Sequence, residues 1–257
     1  NLCSEITLPT GIDKNGRDRT AVCCLSSLNL EKYDEWKDDK VMINDVMRFL
    51  DNVLTDFIER APEQFDDAKY SAEKERSVGL GVMGFHSYLQ QHNIPLESVM
   101  SKAWNKKIFK HIQENVDQAS KDLADERGPC PDAADYGYNE RFSNKTAIAP
   151  TASISIICGG ASPGVEPVAA NSYTHKTLSG SFNVRNRYLV ELLEKHGKNT
   201  EEVWSGITTN EGSVSHLDFL TDLEKDVFKT AFELDQKWII ELSGDRTPFI
   251  SQAQSIN

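Results

Sequence analysis

The sequence predicts an α/β fold built around a buried sheet or barrel. Three observations carry this expectation. Amphipathic helical patterns and short apolar strands interleave along the whole chain, the arrangement that covers a sheet with helices. The 257 residues suit one α/β unit, and eleven Phe within a 39% apolar composition can fill a core of that size. No internal repeat or low-complexity segment interrupts the pattern.

Taken in order, residues 1–10 read as a strand or loop tip closed by Pro9. Residues 11–19 (GIDKNGRDR) form a turn-rich polar connector, tightest at Asn15-Gly16. Residues 21–30 (AVCCLSSLNL) are short and apolar, a strand or buried turn. The two arms around the connector suggest a hairpin-like unit that brings Cys23 or Cys24 near Cys3 or Glu5. Residues 41–60 predict a helix, because Ile43, Val46, Met47, Leu50, Val53, Leu54 and Phe57 share one helical face. Pro62 ends it. Residues 77–82 (SVGLGV) predict a buried strand whose Gly79 and Gly81 permit close backbone packing. A short helix follows over 83–91. A long one covers 104–127, with Ile108, Ile112, Val116, Ala119 and Leu123 on one face and Gly128 as its stop.

Residues 146–158 (TAIAPTASISIIC) are small, hydroxylic and β-branched. They predict a strand to Ala149, a turn at Pro150 and a second extended segment. Gly159-Gly160 and Pro163-Gly164 then make a loop. Residues 184–196 predict a helix stopped by Gly197. Thr221-Asp222-Leu223-Glu224 has the capping-box pattern and opens a helix to about Leu242. Its apolar stripe is Val227, Phe228, Ala231, Leu234, Trp238 and Ile239. Pro248 to Ile250 begins another strand or loop.

Composition excludes several function classes. Forty acidic against 28 basic residues give a net charge of −12, which argues against a nucleic-acid surface. Local N–H groups can still bind a nucleotide in such a chain. No apolar run is long enough for a membrane span, and no basic and apolar leader opens the sequence. Five Cys without a disulfide-framework spacing suggest a reducing, cytoplasmic setting. A start at Asn and a stop at Ser255-Ile256-Asn257 suggest a processed protein or a piece of a larger polypeptide.

Two stretches carry candidate chemistry. In an extended backbone Asn1, Cys3 and Glu5 share one edge, with Leu2, Ser4 and Ile6 behind. An amide, a thiol and a carboxyl on one edge can build a site, and a plain strand with a small buried Cys fits the same spacing. At 150–155 (PTASIS), small side chains let an anion reach backbone N–H groups beside three hydroxyls, and a following helix would add its dipole. Ser/Thr-rich turns are also common without a ligand. This is not a Walker A loop, and Gly79 and Gly81 lack the third glycine of a dinucleotide fingerprint. Cys23-Cys24 are adjacent, Cys130 and Cys158 stand alone, and the six His show no ligand spacing, so no metal site is expected.

Asn-Leu-Cys-Ser-Glu-Ile at 1–6, Ala-Val-Cys-Cys-Leu-Ser-Ser-Leu-Asn-Leu at 21–30, Pro-Thr-Ala-Ser-Ile-Ser at 150–155, Gly-Val-Glu-Pro at 164–167 and Phe-Ile-Ser-Gln-Ala-Gln-Ser at 249–255 occur in a fixed order. Together they resemble the large subunit of class I ribonucleotide reductases over essentially the whole chain. The resemblance implies a ten-stranded α/β barrel, here as a single, incomplete catalytic domain over 1–257. It holds an active-site finger loop at 1–10, a redox-cysteine segment at 21–30 and a phosphate turn at 150–155. It implies reduction of ribonucleoside diphosphates by a thiyl-radical route. Cys3 would hold the transient thiyl that takes the 3′-hydrogen of the ribose. Glu5 would be the base on the 3′-hydroxyl, and Asn1 would hydrogen-bond the substrate. Cys23 would be one redox-active cysteine, because Cys-x-Leu-Ser follows it as in relatives, and Cys24 would then sit at a variable position; a vicinal Cys23–Cys24 disulfide would be strained. Thr151, Ala152, Ser153, Ile154 and Ser155 would bind the substrate phosphates. Some relatives carry Glu where Ala152 stands, so contact there would be through the backbone.

The resemblance also implies that no metal or cofactor binds this chain directly. The radical would come from a metal-containing small subunit, and thioredoxin or glutaredoxin would restore the cysteines. Further partners are a complementary N-terminal large-subunit part and further copies in an oligomer. The family's N-terminal half and C-terminal tyrosine relay and cysteine tail have no counterpart in the sequence. The expectation is therefore a middle-to-late barrel segment from a split, intein-interrupted or trimmed polypeptide. Alone it should not turn over, and its Asn1 tip should order only when the missing half docks. Alternatives are a non-catalytic nucleotide-binding or assembly fragment, or a piece of an adenosylcobalamin-dependent reductase. The latter more often reads Asn-Pro-Cys-Gly-Glu. A stand-alone thiol oxidoreductase is a third reading, against which the lack of Cys-x-x-Cys counts.

Overall fold

The computed structural model describes residues 4–178 and 180–256. After an irregular run from Ser4, the polar connector folds as a small antiparallel hairpin, β1 (Gly11–Ile12) with β2 (Asp18–Arg19). Asp13 Oδ1 closes it by accepting from the N–H groups of Asn15 and Arg17 at 2.8 and 3.2 Å, as Asp side chains do in turns. The apolar run after it yields β3 (Leu25–Asn29), and a single turn, α1 (Tyr33–Trp36), leads to α2 (Met42–Arg60). Ile43, Met47, Leu50 and Leu54 are buried on one stripe of α2, while Val53 is exposed, so the stripe is narrower than the sequence suggested. Next come α3 (Asp66–Glu75), β4 (Gly79–Met83), α4 (Phe85–Gln91) and α5 (Val99–Arg127). Ser98 caps α5, so it begins a turn earlier than the apolar stripe shows, and Gly128 at φ +84° ends it.

The sheet is parallel where it matters for the site. β3 pairs with β4 from Leu25↔Gly79 to Asn29↔Met83. Thr146 bridges Leu80, and Ile148 in turn bridges Gln254, both in parallel. Four adjoining segments (25–29, 79–83, 146–148 and 252–255) thus run the same way. Parallel strands need both faces covered. Leu28, Leu80, Val82 and Ile148 lie in one core with Met47, Leu50, Leu54, Tyr88, Leu89, Ile108 and Ile112. On the other face the expected close packing at the glycines is present. A Cβ on Gly79 would lie 2.4 Å from Leu25 Cδ2 and 2.9 Å from Ala147 Cβ, and one on Gly81 would lie 2.4 Å from the Ala147 oxygen.

The later half departs more from expectation. A one-turn helix, α6 (Pro131–Ala134), precedes the third parallel segment. The predicted second extended segment near 154 is instead one helical turn, α7 (Ile154–Ile157). The positive φ of Thr151 ends the strand direction, and Gly159 and Gly160, also at positive φ, let the chain leave that turn. An antiparallel hairpin, β5 (Ser172–Thr177) with β6 (Gly180–Arg185), was not anticipated. α8 (Arg187–Lys195) starts three residues later than predicted, because Asn186 caps it by accepting from the Tyr188 N–H at 3.1 Å. α9 (Glu201–Thr209) follows.

The helix predicted from Thr221 to Leu242 is two helices, α10 (Asp222–Val227) and α11 (Gln236–Arg246). The capping box at Thr221 and Glu224 forms as expected. The break has local causes. Glu233 accepts from the N–H and hydroxyl of Thr230 at 2.8 and 2.9 Å, and Asp235 caps a new helix through the Lys237 N–H at 2.9 Å. Leu189, Leu193, Trp204, Ile207, Val214 and Val227 form a second core beneath α8 to α10. No helix among the described residues is long and apolar enough to cross a membrane.

Candidate functional site

Parallel strands present their C-terminal ends along one edge, where sites in such folds collect. Here that edge carries Asn29, Gly84, the turn after Ala149, and Ser255. The segment 252–255 is held from both sides. Toward the sheet interior, the Gln252 N–H donates to Thr146 O at 3.0 Å, Ile148 N–H to Ala253 O at 3.1 Å and Ser255 N–H to Ile148 O at 2.9 Å. The buried Arg246 donates to Gln254 Oε1 at 2.6 Å. On its outer edge lies the N-terminal stretch.

Glu5 sits there, only 1% exposed. Its backbone oxygen accepts from the Ala253 N–H at 2.9 Å. Its carboxylate Oε2 accepts from the Ser255 hydroxyl, and Ser255 Oγ in turn accepts from the Ser4 N–H at 3.0 Å. Two residues on, the Thr7 N–H donates to Gln252 Oε1 at 3.2 Å, while Gln252 Nε2 donates to Val78 O at 3.1 Å. Asn1 and Cys3, and with them the expected ordering of the tip, lie outside the described residues.

The adjacent cysteines separate by strand alternation. Cys24 packs on the core, with its thiol donating to Leu50 O on α2 at 3.9 Å. Burial first, and then Cys23 beside it, push the Cys24 thiol up to about 11. Cys23 is exposed. Among the described residues the two arms do not form the expected hairpin-like unit: 25–29 pairs with 79–83, Glu5 and Thr7 lie on 252–253 beyond the strand 146–148, and Cys24 faces α2.

The turn at 150–155 is pinned from within. Thr151 has φ +52°, a conformation that β-branched residues rarely adopt. It is held there by its Oγ1, which accepts from the Gly164 N–H at 2.7 Å. The Ser155 N–H donates to Thr151 O at 3.0 Å, and the Ser155 hydroxyl donates to Ala152 O at 3.2 Å. Ser155 is buried, so its hydroxyl is withdrawn from the surface on which the sequence had counted three. Ala152, Ser153 and Ile154 are exposed, and among the described residues their N–H groups have no hydrogen-bond partner.

A clamp that the sequence did not reveal fixes the loop behind this turn. Ser87 and Ser162 exchange N–H to Oγ hydrogen bonds at 3.1 and 2.9 Å, and the Gly84 N–H donates to Ser162 O at 2.7 Å. Arg187 Nη2 donates to both oxygens of buried Glu31 at 2.9 and 2.7 Å and to Gly159 O at 2.9 Å. The Tyr188 hydroxyl joins at 2.8 Å. The only sequence signal for this cluster is a carboxylate, Glu31, placed just past the end of a strand. Among the described residues no group of three or more His, Cys, Asp or Glu is placed to hold a metal ion.

Comparison with known proteins adds to this geometry. The family described as "Ribonucleotide reductase, barrel domain" matches residues 1–141 and 132–257. The chain is similar to the ribonucleoside-diphosphate reductase large subunit of Invertebrate iridescent virus 6, at 52% identity over 99% of this chain and 26% of that one. The same-named protein of Invertebrate iridescent virus 3 is 46% identical, over 99% of this chain and 40% of its own. Among solved structures, an Actinobacillus ureae class Id ribonucleotide reductase alpha subunit matches with a TM-score of 0.89 at 42% identity, covering 100% of this chain and 46% of that chain. The chain therefore spans less than half the length of these relatives.

Proposed function

The chain belongs to the ribonucleotide reductase barrel-domain family and shares its α/β barrel fold, and on that premise we propose that it supplies the catalytic edge of a class I large subunit. The reaction is reduction of ribonucleoside diphosphates to deoxyribonucleoside diphosphates. One observation supports this above the rest. Segment 252–255 joins Glu5 on its outer edge to the strand 146–148, which leads directly into the turn at 150–155. Two stretches far apart in sequence, each a candidate on chemical grounds, thereby share one rigid frame.

In this reading the domain spans 1–257, with the finger loop at 1–10, the redox segment at 21–30 and the phosphate turn at 150–155. The exposed N–H groups of Ala152, Ser153 and Ile154 receive the diphosphate, with the Ser153 hydroxyl beside them. Asn1 orients the sugar. The Cys3 thiyl takes the 3′-hydrogen, and Glu5 takes the proton of the 3′-hydroxyl. Cys23, which is exposed, gives one of the two thiols that become a disulfide as the 2′-hydroxyl leaves as water. A metal-containing small subunit supplies the radical, and a thioredoxin or glutaredoxin restores the thiols. The complementary N-terminal large-subunit residues complete the barrel, and the assembly is oligomeric.

The test uses the assembled reductase that contains this chain, comparing wild type with Cys3→Ser and Glu5→Gln. Both variants should lose deoxynucleotide formation while still binding nucleoside diphosphate. Wild-type turnover by Cys3→Ser would sink the radical role. Nucleotide binding without turnover in any mixture would point to a binding or assembly role instead. The isolated 257-residue chain should show no turnover.

A further inference from the structure

Ser255 holds the Glu5 carboxylate by a hydrogen bond whose direction is fixed. A serine hydroxyl has one proton to give. The Ser4 N–H donates to Ser255 Oγ at 3.0 Å and the Ser4 hydroxyl lies at 3.5 Å, while the Glu5 carboxylate can only accept, so the Ser255 proton goes to Glu5 Oε2. Both side chains are 1% exposed, so bulk water does not compete for either. Among the described residues, Glu5 Oε1 has no hydrogen-bond partner.

Ser255 is itself tied to the neighbouring strand by backbone hydrogen bonds. Its N–H donates to Ile148 O at 2.9 Å, and the Ile148 N–H donates to Ala253 O at 3.1 Å, which locks 253–255 in register with the strand 146–148. Three residues beyond Ile148 stands Thr151, whose Oγ1 anchors the turn on Gly164 at 2.7 Å. A chain of short, buried links therefore runs from the Glu5 carboxylate through Ser255 and Ile148 to the exposed N–H groups of the turn.

We propose that Ser255 is a positioning residue for Glu5: it engages Oε2, presents the unengaged Oε1 to the substrate proton, and sets the distance between that oxygen and the anion held at 152–154. This rests on the reading of Glu5 as the base and deepens it. A nucleotide anchored by its phosphates brings its 3′-hydroxyl to a place fixed by the length of the nucleotide. A carboxylate free to rotate would meet that hydroxyl only part of the time, and a loss of alignment of this kind falls on the chemical step rather than on binding.

The experiment is Ser255→Ala in the assembled reductase, with Ser255→Thr as the variant that keeps the hydroxyl. Ser255→Ala should lower kcat by about tenfold or more with KM within about twofold. The isotope effect on kcat from a 3′-deuterated substrate should rise, because the slowed step lies at the ribose. Ser255→Thr should restore most of kcat. A purely structural role would not raise the isotope effect. If Ser255→Ala fails to fold, Ser255→Cys, nearly isosteric but a weak donor, carries the same expectation. Wild-type kcat and isotope effect in Ser255→Ala, or in Ser255→Cys where Ser255→Ala does not fold, with Glu5→Gln inactive, overturn the positioning role and leave the function standing. Full activity in Glu5→Gln overturns both.

Discussion

Gly81 faces the carbonyl of Ala147 so closely that a Cβ on Gly81 would stand 2.4 Å from that oxygen. The contact lies between β4 and the strand that leads into the turn, so it sets how near those two strands approach. Backbone cannot swing aside as a flexible side chain can. Gly81→Ala should therefore cost about 1–3 kcal/mol, the range for forced overpacking. Gly244 is the control: it lies within α11 with nothing within 4 Å of a Cβ. Gly244→Ala should stabilise by up to about 1 kcal/mol, the helix-propensity difference. Urea unfolding of the two variants reads both, and an equal effect of both would refute the packing argument.

Asp51 is fully buried on α2 and serves three guanidinium groups. Arg76 Nε reaches Oδ1 at 2.7 Å, Arg141 Nε reaches Oδ1 at 2.9 Å, and Arg127 Nη1 reaches Oδ2 at 2.7 Å. Burial alone would push this carboxyl up, but the Arg141 and Arg127 hydrogen bonds and the Arg76 charge hold it below its ordinary value. Asp51→Asn leaves three cations around a neutral amide and should cost about 3–5 kcal/mol at neutral pH. For a depressed carboxyl the contribution is complete above the unfolded-state value and disappears as pH falls through the folded one. The gap between wild type and Asp51→Asn should thus be constant from pH 6 to 8 and narrow below about pH 4. A gap unchanged in acid would show that the cost is steric.

These contacts also show what the sequence could disclose. α2 and α5 were legible because their apolar residues recur at helical spacing and few tertiary contacts contradict them. The glycines of β4 were legible as a close approach, though not what they approach. The β5–β6 hairpin escaped notice because Tyr173, Phe182 and Leu178 are exposed and its strands carry no buried alternation. Pairing holds it rather than burial. The break between α10 and α11 escaped because Thr230, Glu233 and Asp235 give no helix stop until Glu233 accepts from Thr230 and Asp235 caps a new helix. At the site, Glu5 and the turn at 150–155 could be read as local chemistry. Ser255 as the partner of Glu5 could not, since that pairing depends on register across three adjoining segments.

The two adjacent cysteines should differ sharply toward alkylation. Burial pushes the Cys24 thiol up to about 11, and Cys24 faces Leu50 rather than solvent. Cys130 is fully buried and also raised, by burial first. Cys23 and Cys158 are exposed. Only the thiolate reacts. With iodoacetamide at pH 8, the exposed Cys23 and Cys158 should be modified first, and the rise of the Cys24 thiol from its ordinary 9.0 to about 11 should slow its own reaction by about a hundredfold relative to an unperturbed thiol. Tandem mass spectrometry of the peptide carrying both positions separates them. Equal labelling of Cys23 and Cys24 would contradict the side assignment that supports Cys23 over Cys24 as the redox cysteine.

Glu75 gives a pH dependence of the opposite sign to that of Asp51. It ends α3, is 2% exposed, and neither carboxyl oxygen has a hydrogen-bond partner. Ser71 Oγ and Ser77 Oγ nearby are also unpartnered. Burial pushes the carboxyl up to about 7, the Arg19 charge opposes, and Asp132 adds to the rise. Arg19 cannot relieve it, because its guanidinium is taken by Asp132, at 2.9 Å through Nη2, and by Asp13 at 3.2 Å. Between the unfolded value of 4.5 and about 7 the folded chain holds a proton that the unfolded chain has released. Stability should therefore be complete below about pH 4.5, decline as pH rises, and level off above about pH 7. The loss is roughly 3 kcal/mol, at 1.36 per unit. Glu75→Gln carries no proton to lose. It should match wild type within about 1 kcal/mol at pH 5 and exceed it by roughly 2–3 kcal/mol at pH 8. Taking the difference between the two proteins at each pH cancels other titrating groups, such as the buried His86, whose imidazole burial lowers to about 4. A difference that does not grow from pH 5 to pH 8 would mean that Glu75 finds a partner for its charge.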